Sequence, residues 1–235
     1  MANAVTRHIP NTVTCLNLFS GCIACVMAFN GLYEWAALFI ILSAVFDFFD
    51  GMLARLLKAY SNIGKELDSL ADNISFGMAP ALMVFSLSAQ VHYPHFLAGS
   101  EQYMPYAAFL IAVFSALRLA KFNVDVRQTS SFIGMPTPAN ALFWASLIVG
   151  SYEFILSPAF NIFYLILLII ITSVLLVAEI PMFSLKFKNL TWKDNKVKFV
   201  FLIGCVPLLI FFRISGIAAI IGWYVLLSLL TIKKK

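Results

Sequence analysis

The sequence predicts an all-α, polytopic integral membrane protein, a helical bundle of about eight transmembrane segments preceded by a short interfacial segment. Three observations predict it. Of 235 residues, 62% are apolar and only 11% charged, far from the balance of a soluble globular chain. The apolar residues fall in runs near the ~20 residues that a bilayer crossing requires, separated by short polar connections. The basic residues stand at the ends of these runs, and alternating crossings put every one of them except Arg213 on a single side. Six spans is the alternative, if the last hairpin does not cross.

Each element follows in order. Ala2 to Ile9, with Arg7 and His8, reads as interfacial, and Pro10-Asn11 opens a first span from about Thr12 to Phe29. Asn30-Gly31 is a turn signal. A second span from about Trp35 to Leu57 carries Asp47, Asp50 and Arg55 in its last half. Residues 59–62 connect it to a third span, which starts near Gly64 with Asp68 and Asp72 in its first turns and continues past Ser75, Gly77 and Pro80 to about Ala89. The helical hairpin brings both acidic pairs to one membrane face. After a loop without Lys or Arg, a fourth span from about Met104 to Ala120 ends in Arg118, Lys121 and Asn123, and Gly134 to Pro138 lead into a fifth that ends near Tyr152. A sixth span covers about Phe160 to Val177, and a basic loop runs from Phe183 to Lys198. Two last spans, about Val200 to Phe212 and Gly216 to Thr231, precede Lys233, Lys234 and Lys235.

Other readings of the composition are weaker. The net charge of +5 does not form the stripe that a nucleic-acid surface needs, so no nucleic-acid partner is expected and membrane topology explains it. The N-terminal residues are short and polar, and the apolar run behind them is long enough to stay in the membrane, so no cleaved signal peptide is expected. Cys15, Cys22, Cys25 and Cys205 lie within apolar runs and read as packing residues, and His92 and His95 as solvated loop residues. No fixed-period repeat or soluble domain boundary is visible.

The informative stretch is Asp47 to Arg55 with Gly64 to Asp72. A charge inside apolar sequence costs at least a few kcal/mol and marks a functional site by default. Asp47 and Asp50 stand at i, i+3 and Asp68 and Asp72 at i, i+4, so each pair projects from one helix face. Four converging carboxylates with no soft ligand nearby suit a hard divalent cation, Mg²⁺, Mn²⁺ or Ca²⁺, and two ions can share such a set. The bland reading is a structural ion-pair cluster, but the acids outnumber the nearby bases. Gly51 lets a substrate approach the helix backbone, Ala54 keeps the next turn narrow and Arg55 offers donors for phosphate oxygens. Cations, small residues and an arginine together describe a diphosphate pocket.

This stretch reads D-x-x-D-G-x-x-A-R-x8-G-x3-D-x3-D and resembles the signature of the CDP-alcohol phosphotransferases at every fixed position. Asn11, Thr14, the Arg118 to Asn123 segment and Gly134 to Pro138 are similar to the phosphatidylserine synthase branch. The resemblance covers about the first 140 residues. It implies transfer of the phosphatidyl group of CDP-diacylglycerol to the hydroxyl of L-serine, with release of CMP. It further implies Asp47, Asp50, Asp68 and Asp72 as ligands of a divalent cation, with Asp72 also the general base, held at the edge of the metal's coordination. Carried over residue by residue, the CDP-diacylglycerol contacts are Asn11, Thr14, Gly51, Ala54, Arg55 and Ser61. A homodimer is a family expectation.

Serine carries both an ammonium and a carboxylate, so its site needs cationic or amide donors close to the metals, and Arg118, Lys121 and Asn123 are the candidates. Each equally suits an interfacial anchor. The basic loop serves topology and attraction to anionic lipid. Residues 1–157 form the expected catalytic core, and 158–235 add the remaining spans to the same membrane domain. The site and both termini are expected on the cytoplasmic side of the inner or plasma membrane. Two alternatives stand beside this reading: the same chemistry with glycerol 3-phosphate or inositol phosphate as acceptor, and a cation transporter.

Overall fold

In the computed structural model the chain folds as a bundle of helices, and the structure describes residues 4–97, 99–125, 133–183, 185, 189 and 191–231. Arg127, Lys186, Lys188 and Lys233 to Lys235 lie outside the described residues, as do the side chains of Arg7 and Lys193. Among the described residues, five helical stretches are long and apolar enough to cross a membrane: His8–Phe29, Tyr33–Leu56, Asn62–Ser88, Met104–Val124 and Asp194–Leu230. The protein is a membrane protein.

The first helix, α1 (Ala4–Phe29), is continuous from the N-terminal segment into the first span, with Pro10 inside it. The segment expected to be separate is therefore its first turns. Its inner face carries Thr14, Asn17, Gly21, Ala24 and Ala28, a small-residue row at helical spacing that is buried along its length. Residues on the other faces, among them Phe19, Val26 and Phe29, are exposed, as lipid-facing side chains must be. α1 ends in a Schellman motif: Gly31 at φ +73° donates to the Ala28 carbonyl at 3.1 Å and Leu32 to that of Met27 at 2.9 Å. The chain thus reverses at once into α2 (Tyr33–Leu56).

α2 ends in the same way. Lys58, at φ +50°, donates to the Arg55 carbonyl at 3.3 Å, and Ala59 to that of Ala54 at 3.0 Å. Ser61 then caps α3 (Asn62–Asp72), its hydroxyl oxygen accepting from the Gly64 N–H at 3.0 Å. The third span contains a turn of π-helix, Asn73–Met78, between α3 and α4 (Ala79–Ser88). Pro80 follows directly, and a proline ring removes one donor and crowds the carbonyl a turn earlier, a recognised cause of irregular helix. The π-turn packs tightly on its neighbours: a Cβ at Gly21 would overlap Ser75 Oγ, and one at Gly77 would lie 3.0 Å from Ser115 Cβ.

α5 (Phe109–Val124) follows a 3₁₀ turn, α6 (Thr137–Gly150) and the short α7 (Tyr152–Leu156) come next, and α8 (Ile162–Val177) closes the central bundle. Trp144, Phe76, Ile40, Met83, Leu87, Ile111 and Ile148 fill its core. α9 (Trp192–Phe212) and α10 (Gly216–Leu230) fold back on one another through Arg213–Ser215, so the last of the five long stretches is a hairpin. α10 packs on α6, while α9 carries exposed Ile203, Ile210 and Phe211.

The helices follow the expected spans one by one, with two differences. α6 and α8, at 14 and 16 residues, fall short of a full bilayer crossing. α9 begins at Trp192 rather than near Val200, with a kink at Asn195. The part of the expected loop from Trp192 to Lys198 is therefore helical, and Thr191 Oγ1 and Asn189 Nδ2 both donate to Asp194 Oδ2, at 2.8 and 2.9 Å, which holds a carboxylate in the first turn, where it favours the helix N-terminus.

The α5–α6 connection is braced against the end of α8. Gly134 donates to the Ile180 carbonyl and Met135 to the Leu175 carbonyl, both at 2.9 Å, which fixes the start of α6. Gly134 stands at φ +75°, and a Cβ there would meet Leu176 O at 2.6 Å. Gly134→Ala should therefore destabilise the protein by about 1–3 kcal/mol. Thermal unfolding in detergent checks this, and a melting temperature equal to wild type would show that the brace yields.

Candidate active site

The acidic pairs meet as their spacing requires. Asp47 and Asp50 project from the last turns of α2, Asp68 and Asp72 from the end of α3, and the capped connection at Lys58 to Ser61 turns the chain so that both helices pack on α1. One ligand oxygen from each of Asp47, Asp50 and Asp68 lies within 4.8 Å of the others. Asp50 Oδ2 and Asp68 Oδ1 are buried without a hydrogen-bond partner. Like charges at this separation repel strongly in a low dielectric, so the arrangement needs positive charge to complete it. Three carboxylate oxygens with no sulfur or imidazole beside them fit a hard divalent cation.

Asp72 stands apart from that group. It is 8% exposed, in the field of the other three carboxylates, and its Oδ1 accepts a hydrogen bond from Asn17 Nδ2 at 3.2 Å. Asn17 is wholly buried and acts as a joint. Its carbonyl accepts from Ser43 Oγ of α2 at 3.2 Å and from Ser75 Oγ of the π-turn at 3.1 Å. One residue of α1 thereby joins the Asp72 carboxylate, through its side chain, to the Ser43 and Ser75 hydroxyls, through its carbonyl. The sequence reading passed over Asn17. The signal that could have found it is the polar row Asn11, Thr14, Asn17 at i, i+3, i+6, which shares one face of α1.

Beside the acids lies a cavity of about 210 Å³ lined by Pro10, Asn11, Thr14, Asp50, Gly51, Ala54, Ala59, Tyr60, Ser61, Gly64, Lys65 and Asp68. It gathers Asn11, Thr14, Gly51, Ala54 and Ser61, five of the six residues expected to hold the nucleotide diphosphate, and shares Asp50 and Asp68 with the carboxylate group. Thr14 lies beside the Asp50 carboxylate. Arg55, the sixth, is exposed and is not among the lining residues. Lys65 and Tyr60 are additions to the expected set. A cavity edged by carboxylates, hydroxyls, an amide and one ammonium suits a phosphorylated ligand bridged to the acids by a cation.

The three residues expected for the acceptor part company. Arg118 is 7% exposed, interacts electrostatically with Asp72, and its guanidinium sits 5.1 Å from the Phe122 ring centroid. Lys121 Nζ donates to the Val177 carbonyl at 3.4 Å. Asn123 Nδ2 donates to Ser69 Oγ at 2.8 Å, and its carbonyl accepts from Lys65 Nζ at 2.9 Å. Arg118 interacts with the acids through charge, whereas Lys121 and Asn123 tie the end of α5 to α8 and α3.

Comparison with known proteins adds an independent finding. A family model described as CDP-alcohol phosphatidyltransferase matches residues 7–175, from the start of α1 to the end of α8. The chain is 35% identical over 136 residues to the CDP-diacylglycerol–serine O-phosphatidyltransferase of Bacillus subtilis, covering 56% of this chain and 70% of that protein. It is 31% identical over 174 residues to the archaetidylserine synthase of Methanothermobacter thermautotrophicus, covering 73% and 68%. It is 30% identical over 225 residues to the CDP-diacylglycerol–serine O-phosphatidyltransferase of Helicobacter pylori, covering 94% and 89%. The matched residues include all four aspartates and the whole cavity lining, and the chain belongs to the CDP-alcohol phosphatidyltransferase family.

Proposed function

We propose that the protein transfers the phosphatidyl group of CDP-diacylglycerol to the hydroxyl of L-serine, giving phosphatidylserine and CMP. The observation that carries this reading is the cavity that shares Asp50 and Asp68 with the carboxylate group, in a chain whose relatives bear the names given above. Asn11, Thr14, Gly51, Ala54 and Ser61 hold the cytidine diphosphate, and Arg55, one turn beyond Gly51, closes over it from the exposed side. Asp47, Asp50 and Asp68 would hold a divalent cation, with Asp72 at the edge of the set. Such an ion supplies charge neutralisation at the diphosphate and the leaving phosphate.

The chain's own residues do the rest. Asp72 accepts the proton of the serine hydroxyl while that oxygen bonds to the phosphorus of the phosphatidyl group. The bond from this phosphorus to the bridging oxygen breaks, and CMP leaves with the bonding pair. The Asn17 amide holds Asp72 in orientation, leaving the other carboxylate oxygen for the proton. Lys58, Lys65, Arg118 and Lys121 stand at the same bundle end as the acids, and the positive-inside rule then puts that end in the cytoplasm. Serine arrives from water while the acyl chains stay in lipid.

Three outcomes follow. Purified protein in detergent, given CDP-diacylglycerol and Mg²⁺ or Mn²⁺, should release CMP with serine; release with glycerol 3-phosphate and none with serine would overturn the acceptor. Chelation of divalent ions should abolish that release and their return should restore it, whereas undiminished turnover in chelator would remove the cation from the reaction. Asp72→Asn should lower turnover by about a thousandfold or more yet still bind CDP-diacylglycerol. Near-normal turnover in that variant would take Asp72 out of the proton transfer.

A further inference from the structure

Behind Asp72 lies a set of buried polar side chains to which the reaction scheme gives no role. Asn73 Oδ1, Ser115 Oγ, Thr137 Oγ1 and both amide atoms of Asn140 are buried without a hydrogen-bond partner. Ser115, Thr137 and Asn140 are 0% exposed. A fold leaves so many polar atoms unsatisfied in one region only at a cost, unless something that is not part of the chain completes them. The unpaired atoms are of both kinds, oxygens that accept and an amide that donates.

Their placement is specific. Asn73 follows Asp72 directly and opens the π-turn. The bare face of Gly77 is bounded by Asn73 Oδ1 at 2.9 Å and Ser115 Oγ at 3.5 Å, so these two atoms face one spot between the π-turn and α5. α6 packs on both of those elements. Thr137 and Asn140, at i, i+3, lie on its inner face with buried Ala141 and Trp144, and the Gly134 brace fixes the helix start that carries them. Arg118, three residues after Ser115 on α5, brings a buried guanidinium within the field of Asp72. Single-turn π segments recur at functional sites.

We propose that Asn73, Ser115, Thr137 and Asn140, with Arg118, form the acceptor subsite, and that they select a small zwitterionic hydroxy-amino acid. This rests on the transfer reaction proposed above and adds the residues that choose its acceptor. The Asn73 and Asn140 oxygens and the two hydroxyls receive an ammonium, while the Asn140 amide and Arg118 receive a carboxylate. The hydroxyl of the same molecule is left toward Asp72. Arg118 and the Asp72 carboxylate bring one charge of each sign to these otherwise neutral groups, which matches a ligand of zero net charge. A dianionic phosphate acceptor would be left with uncompensated charge in a buried site, and an acceptor lacking the ammonium would leave the amide oxygens unpaired.

The test uses the full chain in detergent with Ser115→Ala, Thr137→Val and Asn140→Leu, each close in size to the residue replaced. Steady-state CMP release gives KM for serine and for CDP-diacylglycerol, and binding of radiolabelled serine is measured in parallel. The expected result is a rise of about tenfold or more in KM for serine in at least Asn140→Leu, with matching loss of serine binding and an unchanged KM for CDP-diacylglycerol. An unchanged KM for serine in all three variants would overturn the subsite and assign these atoms to internal water. Wild-type protein that releases CMP with glycerol 3-phosphate and binds no serine would overturn the zwitterion assignment while sparing the transfer chemistry. A parallel rise in both KM values, with a lowered melting temperature, would show a structural role only and also count against the subsite.

Discussion

The mutual repulsion of carboxylates is the constraint around which the bundle is built. Asp47, Asp50 and Asp68 point oxygens at one another within 4.8 Å, and Asp72 lies in their field. Nothing in an apolar bundle would hold these groups together by attraction, so the backbone must do it. Two tight reversals perform that task. The Schellman turns after α1 and α2 use left-handed residues, Gly31 and Lys58, to end each helix abruptly, and α2 and α3 then have no slack by which the acids could separate. A cation held there would relieve the repulsion between groups that the backbone already brings together.

α1 holds the other elements to this geometry without contributing an acid. Its inner face is small and polar, so α2 and the third span approach closely, and its Asn17 carbonyl receives hydroxyls from both. The Asn17 side chain at the same time sets the orientation of Asp72. Structural and chemical roles therefore coincide in one residue. The Lys65 to Asn123 and Asn123 to Ser69 hydrogen bonds do a related job at the membrane surface, joining the ends of α3 and α5 near the cavity mouth.

Much of this was legible in the sequence because helix spacing is set by local geometry. Asp residues at i, i+3 and i, i+4 on a hairpin meet whatever packs around them, and apolar runs of bilayer length locate the helices. The cavity lining was legible only through resemblance, since Asn11, Thr14 and Ser61 carry no charge to single them out. Asn17 was missed because one amide in an apolar run looks like noise until its register with Asn11 and Thr14 is counted. The π-turn depends on Gly21, Gly77 and Ser115 coming together in three dimensions, which no local pattern encodes. Lys121 and Asn123 were ambiguous for a further reason: a polar residue at a helix end can turn inward to a site or sideways to a neighbour, and periodicity does not distinguish the two. The early start of α9 was hidden because the polar residues of its first turn and kink, Thr191, Asp194 and Asn195, have the composition of a loop.

The π-turn also divides the third span into two independent registers. One residue more than a regular turn accommodates rotates everything downstream by about 100° about the helix axis. Upstream, the angular phase is dictated by acids that must meet α1 and α2. Downstream, it is dictated by Met83, Val84 and Leu87, which fill the bundle core. In an uninterrupted helix one phase would have to satisfy both demands, and any drift in the lipid-embedded half would swing the carboxylates with it. With the offset in place each half meets its own demand, the outer one turning its acids to the site and the inner one its apolar side chains to the core.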